Sequence, residues 1–353
     1  MELRAARPSE RDEVLDLLAR WFGDRAFFAL YNQHDPKFRD DLCLIARDRG
    51  ELVSTVQIFD RPINLAGQSV PMGGIGSVFT REDYRHKGVA SELMKLSVET
   101  MRREGFELSL LFAERLTFYN QFGWREIGRQ FSVLAGTEAI AGAPDFAIDV
   151  FQPTRDFEAV AAIHRSYSGR FDLTAVRDRA DWEASLVYAG NQPNEPGTGS
   201  VEHFVLARGG GRVRAYARAT RFHGIAMIME YGYADGAEPA MLALFKYCGE
   251  AASGARSTLS LLGGDRHRGA EILRVGQNSG VIVTHTAHDS ALEEFLAAAG
   301  APVMHHADNN YMWRVIAPER LASRLGVAAS EAQARALEIF ASPNSLFWTA
   351  DRF

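Results

Sequence analysis

Residues 76–91 read Gly-Ser-Val-Phe-Thr-Arg-Glu-Asp-Tyr-Arg-His-Lys-Gly-Val-Ala-Ser, and this stretch limits the possible folds more than any other. Its first part is apolar and suits a strand end. Its last part opens an amphipathic helix, because Val89, Leu93, Leu96 and Thr100 recur on one face. Between them lies a basic turn, Arg85-His86-Lys87-Gly88. A helix start has unpaired N–H groups and the positive end of the aligned peptide dipoles, an arrangement that holds phosphate oxygens. Gly88 lets the backbone approach such a ligand closely. Arg85, His86 and Lys87 add donors and charge, and Val89 and Ala90 keep the helix start compact. The unit points to an α/β layout and a phosphate-bearing ligand, although an ordinary basic loop ahead of a helix has the same composition.

The surrounding pattern extends the α/β reading. Leu3–Ala6 suits a strand, and Pro8 and Ser9 open a helix whose Val14, Leu17, Leu18, Trp21 and Phe22 share a face. Residues 23–40 lack a clear period and read as loop or irregular helix. Strands are expected at 43–46, 52–59, 70–79, 107–113 and 124–134, with helices at 88–103 and 116–122, the latter stopped by Gly123. Hairpins and helical crossovers together make the sheet mixed. After the small-residue stretch 135–144 the order partly repeats. Strands are expected at 146–151, 204–207, 212–219, 225–233, 258–262 and 310–315, and helices at 156–167, 238–252 and 291–299. Residues 191–200 read as an exposed loop, and 318–353 as a tail with one or two helices. The expected domains are therefore 1–140, 145–317 as a looser second copy, and the tail 318–353.

Composition narrows the class. A hydrophobic fraction of 46% against 24% charged residues is globular. The net charge of −6 and the absence of a Lys/Arg run argue against nucleic acid as a partner. No run of about 18 apolar residues suggests a membrane span, and no apolar leader follows Met1. Two cysteines, Cys43 and Cys248, fit a reducing compartment, so a cytoplasmic location is expected. His285 with His288, and His305 with His306, come without a convincing third ligand, so no metal is expected.

The turn resembles motif A of the GNAT superfamily of N-acetyltransferases, Arg/Gln-x-x-Gly-x-Gly/Ala, through Arg85, Gly88 and Ala90. A second element, Phe118-Tyr119-Asn120-Gln121-Phe122-Gly123-Trp124, resembles the family's Tyr-x-x-x-Gly-Phe, with Trp124 in the Phe place. The tandem layout is similar to the enhanced-intracellular-survival (Eis) group. Members have an active first domain, a second domain of the same fold and a C-terminal domain of sterol-carrier type. Only residues 318–353 follow the second copy here, too few for that third domain, while the aromatic ending Phe347-Trp348-Thr349-Ala350-Asp351-Arg352-Phe353 resembles the group's C-terminus.

The resemblance implies a tandem α/β (α+β) acyltransferase fold that uses acetyl-CoA to acetylate a primary amine. The acceptor would be a polyamine, an aminoglycoside-like molecule or a lysine. Transfer would be direct, in a ternary complex, since no Cys or Ser carries a nucleophile signature. Val78, Phe79 and Thr80 would hold the pantetheine through their backbone, and Arg85, His86, Lys87, Gly88, Val89, Ala90 and Ser91 the pyrophosphate. Tyr119 would be the general acid, and the terminal carboxylate of Phe353 the base, with Glu114 as an alternative. His34 and Asp35 are expected to make ordinary loop contacts. Group members form hexamers, so a homo-oligomer is compatible. The second copy's matching turn, residues 231–239, has no Arg-x-x-Gly-x-Ala and carries Asp235 and Glu238, so it is expected not to bind CoA.

Overall fold

The computed structural model describes residues 1–22, 25–113, 115–134, 146–190, 203–222, 225–252, 281–283, 289–308 and 311–351. The first half runs β1 (Glu2–Ala5), α1 (Arg11–Phe22), α2 (Arg25–His34), β2 (Cys43–Asp48), β3 (Glu51–Asp60), a small hairpin of β4 (Ile63–Leu65) and β5 (Gln68–Val70), β6 (Met72–Thr80), α3 (Val89–Glu104), β7 (Leu108–Phe112), α4 (Leu116–Asn120), β8 (Arg125–Glu126) and β9 (Arg129–Leu134). The second runs β10 (Ala147–Val150), α5 (Pro153–Ser168), α6 (Arg179–Gly190), β11 (His203–Gly209), β12 (Arg212–Phe222), β13 (Ile225–Tyr233), α7 (Glu238–Ala252), β14 (Val281–Val283), α8 (Ser290–Ala298), β15 (Val303–Asp308) and β16 (Tyr311–Val315). Helices α9 (Pro318–Leu325) and α10 (Ala332–Ala341) lead to a last turn at Thr349–Asp351.

Two seven-stranded mixed sheets result, in the orders β1-β2-β3-β6-β7-β16-β8 and β10-β11-β12-β13-β14-β9-β15. They match strand for strand: four antiparallel strands, one parallel neighbour (β6 with β7, β13 with β14), then an antiparallel strand inserted before the edge. That inserted strand comes from the other half. β16 pairs with β7 and β8 in the first sheet, while β9 pairs with β14 and β15 in the second. The single strand expected over 124–134 is therefore two, split between the sheets at Ile127-Gly128.

α3 follows from its own sequence. Val89, Leu93, Met94, Val98 and Met101 are buried along one face and pack on Val56, Ile58 and Ile75 of the first sheet. Gly105, at φ 89°, ends the helix. The stretch expected to be irregular contains α2, whose Phe28 packs beside Val14, Leu17 and Leu18 of α1; the aromatic run at 27–31 masks the helical period. In β12, Val213, Ala215, Ala217 and Ala219 alternate with Arg212, Arg214, Tyr216 and Arg218. Both its faces are covered, with Tyr216 and Arg218 0% and 1% exposed. The tail is not frayed: Leu346, Phe347 and Trp348 are fully buried, and Phe347 joins Leu110, Trp313 and Phe340 in one cluster. The expected strand at 258–262 and loop at 191–200 lie outside the described residues.

Candidate active site

The first sheet splits where the motif begins. β6 pairs with β7 only from Met72↔Leu108 to Ile75↔Leu111. Beyond that, β6 carries a bulge: Thr55 faces Phe79 and Gln57 faces Gly76, so Ser77 and Val78 together oppose Val56. Ser77 takes φ 50°, a left-handed value for a side-chain-bearing residue. The bulge turns β6 away from β7, and Val78, Phe79 and Thr80 form its diverging end. Phe79 is buried with the α1 cluster, and Thr80 is tied to β3 by its hydroxyl, 2.7 Å from that of Ser54.

The turn follows directly. Arg85 is extended, His86 has φ 62° and Gly88 φ 81°. Alternation of this kind aims successive N–H groups toward one side, as in anion-binding nests. Gly88 begins α3 with no side-chain cap, and Glu92 supplies the first intrahelical bond back to its carbonyl, at 3.1 Å. The N–H groups of Val89, Ala90 and Ser91 are thus left for a ligand. A Cβ on Gly88 would meet nothing within 4 Å, so the space before the helix is open. His86 and Lys87 are exposed; the Lys87 ammonium lies 4.9 Å from the Tyr84 ring centre, whose hydroxyl donates to Asp48 at 2.9 Å. Arg85 reaches back to the Thr80 carbonyl at 3.4 Å. These residues suit a pyrophosphate.

Across the split stands α4. Tyr119, Phe118 and Leu116 pack on the cluster that also receives Val78 and contains Val89. The Tyr119 ring meets Phe118 edge-on at 5.0 Å. Burial pushes its phenol up to about 12, against a pull downward from Arg115, so it is a proton donor throughout the physiological range. Its hydroxyl has no hydrogen-bond partner among the described residues. The structure therefore brings Val78–Thr80, the 85–91 turn and Tyr119 around one split. Phe353 and the alternative Glu114 lie outside the described residues.

The chain end is anchored nearby. Arg177, buried on the α6 side, donates to Asp351 at 2.7 Å and to Glu230 at 2.6 Å. Glu230 also accepts from Tyr216 at 2.9 Å and lies 3.4 Å from His164 Nδ1. Its burial opposes ionisation, but Arg177, His164 and Arg218 hold it well below the usual carboxylate range. Asp351 also lines a recess with Asp35, Asp60 and Asp181. Asp35 pairs there with Arg61 at 2.6 Å and Lys37 with Asp181, while the Asp60 carboxylate has no hydrogen-bond partner among the described residues and its pKa is raised by burial. His34 is exposed. Sequence reasoning missed Ser77, Arg177 and Glu230. Only the Gly76-Ser77 pair hinted at the bulge, and nothing local marked the other two.

The equivalent split in the second sheet is filled. Among the described residues β13 pairs with β14 from Ala226↔Val281 to Ile228↔Val283. Tyr231 and Tyr233 stand there with Tyr167 of α5 and Trp348 of the tail, ring centres 4.9–5.4 Å apart. Asp289 accepts from Tyr167 at 2.9 Å and Tyr233 at 2.6 Å. At the start of α7, Ala237 and Ala240 already donate to backbone carbonyls and Pro239 has no N–H. His305 bonds Ser132 at 2.8 Å and His306 stacks on Phe131; His285 and His288 lie outside the described residues.

Residues 2–127 match the family model for the acetyltransferase (GNAT) domain. Among solved structures, the chain is similar to a conserved protein of Enterococcus faecalis described as a probable N-acyltransferase (17% identity, TM-score 0.67, 89% of this chain and 72% of that one). It is similar to a GCN5-related N-acetyltransferase from Kribbella flavida (20%, 0.62, 91% and 73%) and to Eis1 from Mycobacterium abscessus (12%, 0.60, 92% and 76%). No curated protein matches the chain significantly. The family match thus spans residues 2–127, and the overall fold of the chain is the one these solved structures share.

Proposed function

We propose that this chain is an N-acetyltransferase that moves an acetyl group from acetyl-CoA to a primary amine by direct transfer in a ternary complex. The reading rests on one observation above all: the bulged split of β6 from β7 runs straight into a helix start whose N–H groups are uncapped. In this reading residues 1–140 are the catalytic unit and 145–317 a degenerate copy, with 318–353 as the tail. The backbone of Val78, Phe79 and Thr80 would hold the pantetheine, and Arg85–Ser91 the pyrophosphate. Acetyl-CoA supplies the acetyl group as an activated thioester.

The residues of the chain would then manage protons. A lysine-like amine has a pKa near 10.4, so only about one in 10³ is neutral at pH 7. A base must take its proton as the C–N bond forms. The terminal carboxylate of Phe353 is our candidate, supported by the buried tail and the Arg177–Asp351 anchor just before it. As the C–S bond breaks, Tyr119 Oη would give its proton to the departing sulfur and recover one from solvent. In the recess, Asp35, Asp181 and Asp351 are paired with Arg61, Lys37 and Arg177, and the remaining Asp60 carboxylate favours a cationic acceptor, whether a polyamine, an aminoglycoside-like molecule or a lysine side chain. Two buried free thiols, Cys43 and Cys248, support a cytoplasmic setting.

The test is free-thiol release from acetyl-CoA across polyamines, aminoglycosides and lysine peptides. Release that depends on one amine class supports the reading. Tight binding of acetyl-CoA with no release on any amine would favour an acyl-CoA sensor instead.

A further inference from the structure

The recess around Asp60 lies where the two halves meet. The turn after α2 and the end of β3 line it from the first half; α6, the segment before it and the chain's last turn line it from the second. Three of its carboxylates have a cation each, Asp35 with Arg61, Asp181 with Lys37 and Asp351 with Arg177. Two acceptors are left over. The half-buried Asp60 carboxylate has no hydrogen-bond partner among the described residues. Asp351 is only 9% exposed, and while its Oδ1 accepts from Arg177, its Oδ2 has no hydrogen-bond partner among the described residues. Carboxylate oxygens drawn out of water favour a cation that brings its own donors, and an ammonium group has three.

The size of the recess narrows the occupant. Its volume is about 50 Å³, room for a few waters. An ammonium head with its first methylene fits that space, and a sugar ring does not. Pro36, Pro62, Val176 and Ala350 line the remainder, which suits a hydrocarbon stem behind the charge.

Position along β3 then decides which nitrogen can sit there. Gln57 faces Gly76, next to the bulge, and Asp60 closes the same strand. At ~3.3 Å per residue, Asp60 is about 10 Å farther along. An amine attacking a thioester at the bulge must come within about 3.5 Å of it. A nitrogen held at Asp60 is therefore not the one that reacts.

We infer that the recess seats a second, unreacting ammonium group of the acceptor, so that the substrate is a linear polyamine with at least two amines. The inference rests on the proposed acetyltransferase reading and selects one of its three acceptor classes. At the reacting nitrogen an amide C–N bond forms and a proton is lost; the acyl C–S bond breaks and the thiolate gains a proton. The seated nitrogen, with a pKa of about 10.4, keeps its protons throughout.

The experiment is thiol release from acetyl-CoA by the full chain, with linear α,ω-diamines set against monoamines of the same carbon number, beside aminoglycosides and lysine peptides. The best diamine should exceed its matched monoamine by roughly tenfold or more in kcat/KM, the worth of a hydrogen-bonded charge. Asp60→Asn, which keeps the shape and removes the charge, should bring that ratio close to one, chiefly through the KM of the diamine; Asp60→Glu should retain part of it. The diamine–monoamine comparison in the parent protein needs no variant, so it decides even where Asp60→Asn does not fold. Equal turnover of diamines and monoamines, a preference for aminoglycosides or lysine peptides over every diamine, or a ratio unchanged in Asp60→Asn overturns the second-ammonium seat and leaves the acetyltransferase reading intact. No thiol release on any amine overturns both.

Discussion

Two helix starts sit at matching stations in the two sheets, α3 after β6 and α7 after β13. Each follows a strand that bulges and has a parallel neighbour. At the first, the turn is basic, the N–H groups are free and the space ahead is open. At the second, Asp235 and Glu238 replace the cations, the backbone donors are used internally, and three tyrosines with Trp348 fill the gap. The same fold thus presents an open crevice in one half and a packed core in the other. The difference lies in side chains and caps, not in strand topology.

The comparison can be broken most sharply at its tyrosines. Tyr119→Phe should lower kcat by roughly 10²–10⁴-fold, the usual worth of a positioned acid, with acyl-CoA affinity and melting temperature unchanged. Tyr233→Phe, at the filled crevice, should do the reverse: it loses a hydrogen bond to Asp289 and costs about 1.5–3 kcal/mol of stability with kcat kept. Steady-state kinetics and urea unfolding on both variants would decide; equal kinetic effects would dissolve the distinction.

The next effect is at the bulge of β13. Glu230→Ala removes the buried carboxylate shared by Arg177 and Arg218 and should cost about 3–5 kcal/mol, read as a lower denaturation midpoint. A change below about 1 kcal/mol would mean that the network adds little.

Glycine substitutions sharpen the contrast further. Gly88 and Gly236 have φ 81° and 66°, so an alanine at either should destabilise by about 1–2 kcal/mol. Only Gly88→Ala should also weaken acyl-CoA binding, by roughly tenfold, or about 1.4 kcal/mol. Weakening in Gly236→Ala would show that the second start also reaches the ligand.

The smallest signal is a flat line. An acid works only while protonated, so activity is lost as pH rises through its pKa. With Tyr119 raised to about 12, the kcat profile should show no tyrosine-dependent decline up to about pH 10.5. An ordinary phenol, pKa about 10, would already have cost half the rate by pH 10.

What could be read from the chain follows what is local. The 76–91 unit was legible because strand, turn and helix are adjacent, and the termini of β13 and α7 were legible for the same reason. The hairpin β4–β5 was missed because its turn puts Ala66, an unusual residue, at φ 50° before Gly67. The polar face of β12 reads as solvent-facing, yet Arg218 is buried beside Glu230. Another of its partners, Ser185, lies 33 residues away in sequence. Register with a distant strand leaves no periodic trace, so the places of β9 and β16 were invisible.

Those two strands also set an order of events. Counting from the N-terminus, the first sheet lacks its sixth member until the chain has been made through Val315. The half that carries the phosphate turn must therefore wait, with β7 and β8 unjoined, while nearly the whole protein is synthesised. The second half cannot finish without β9, which ends at Leu134, long before that half ends at Val315. A chain interrupted anywhere between leaves two incomplete sheets with exposed edges. The exchange thus works as a completeness check: the first sheet has its seven strands only once the chain has been made through Val315.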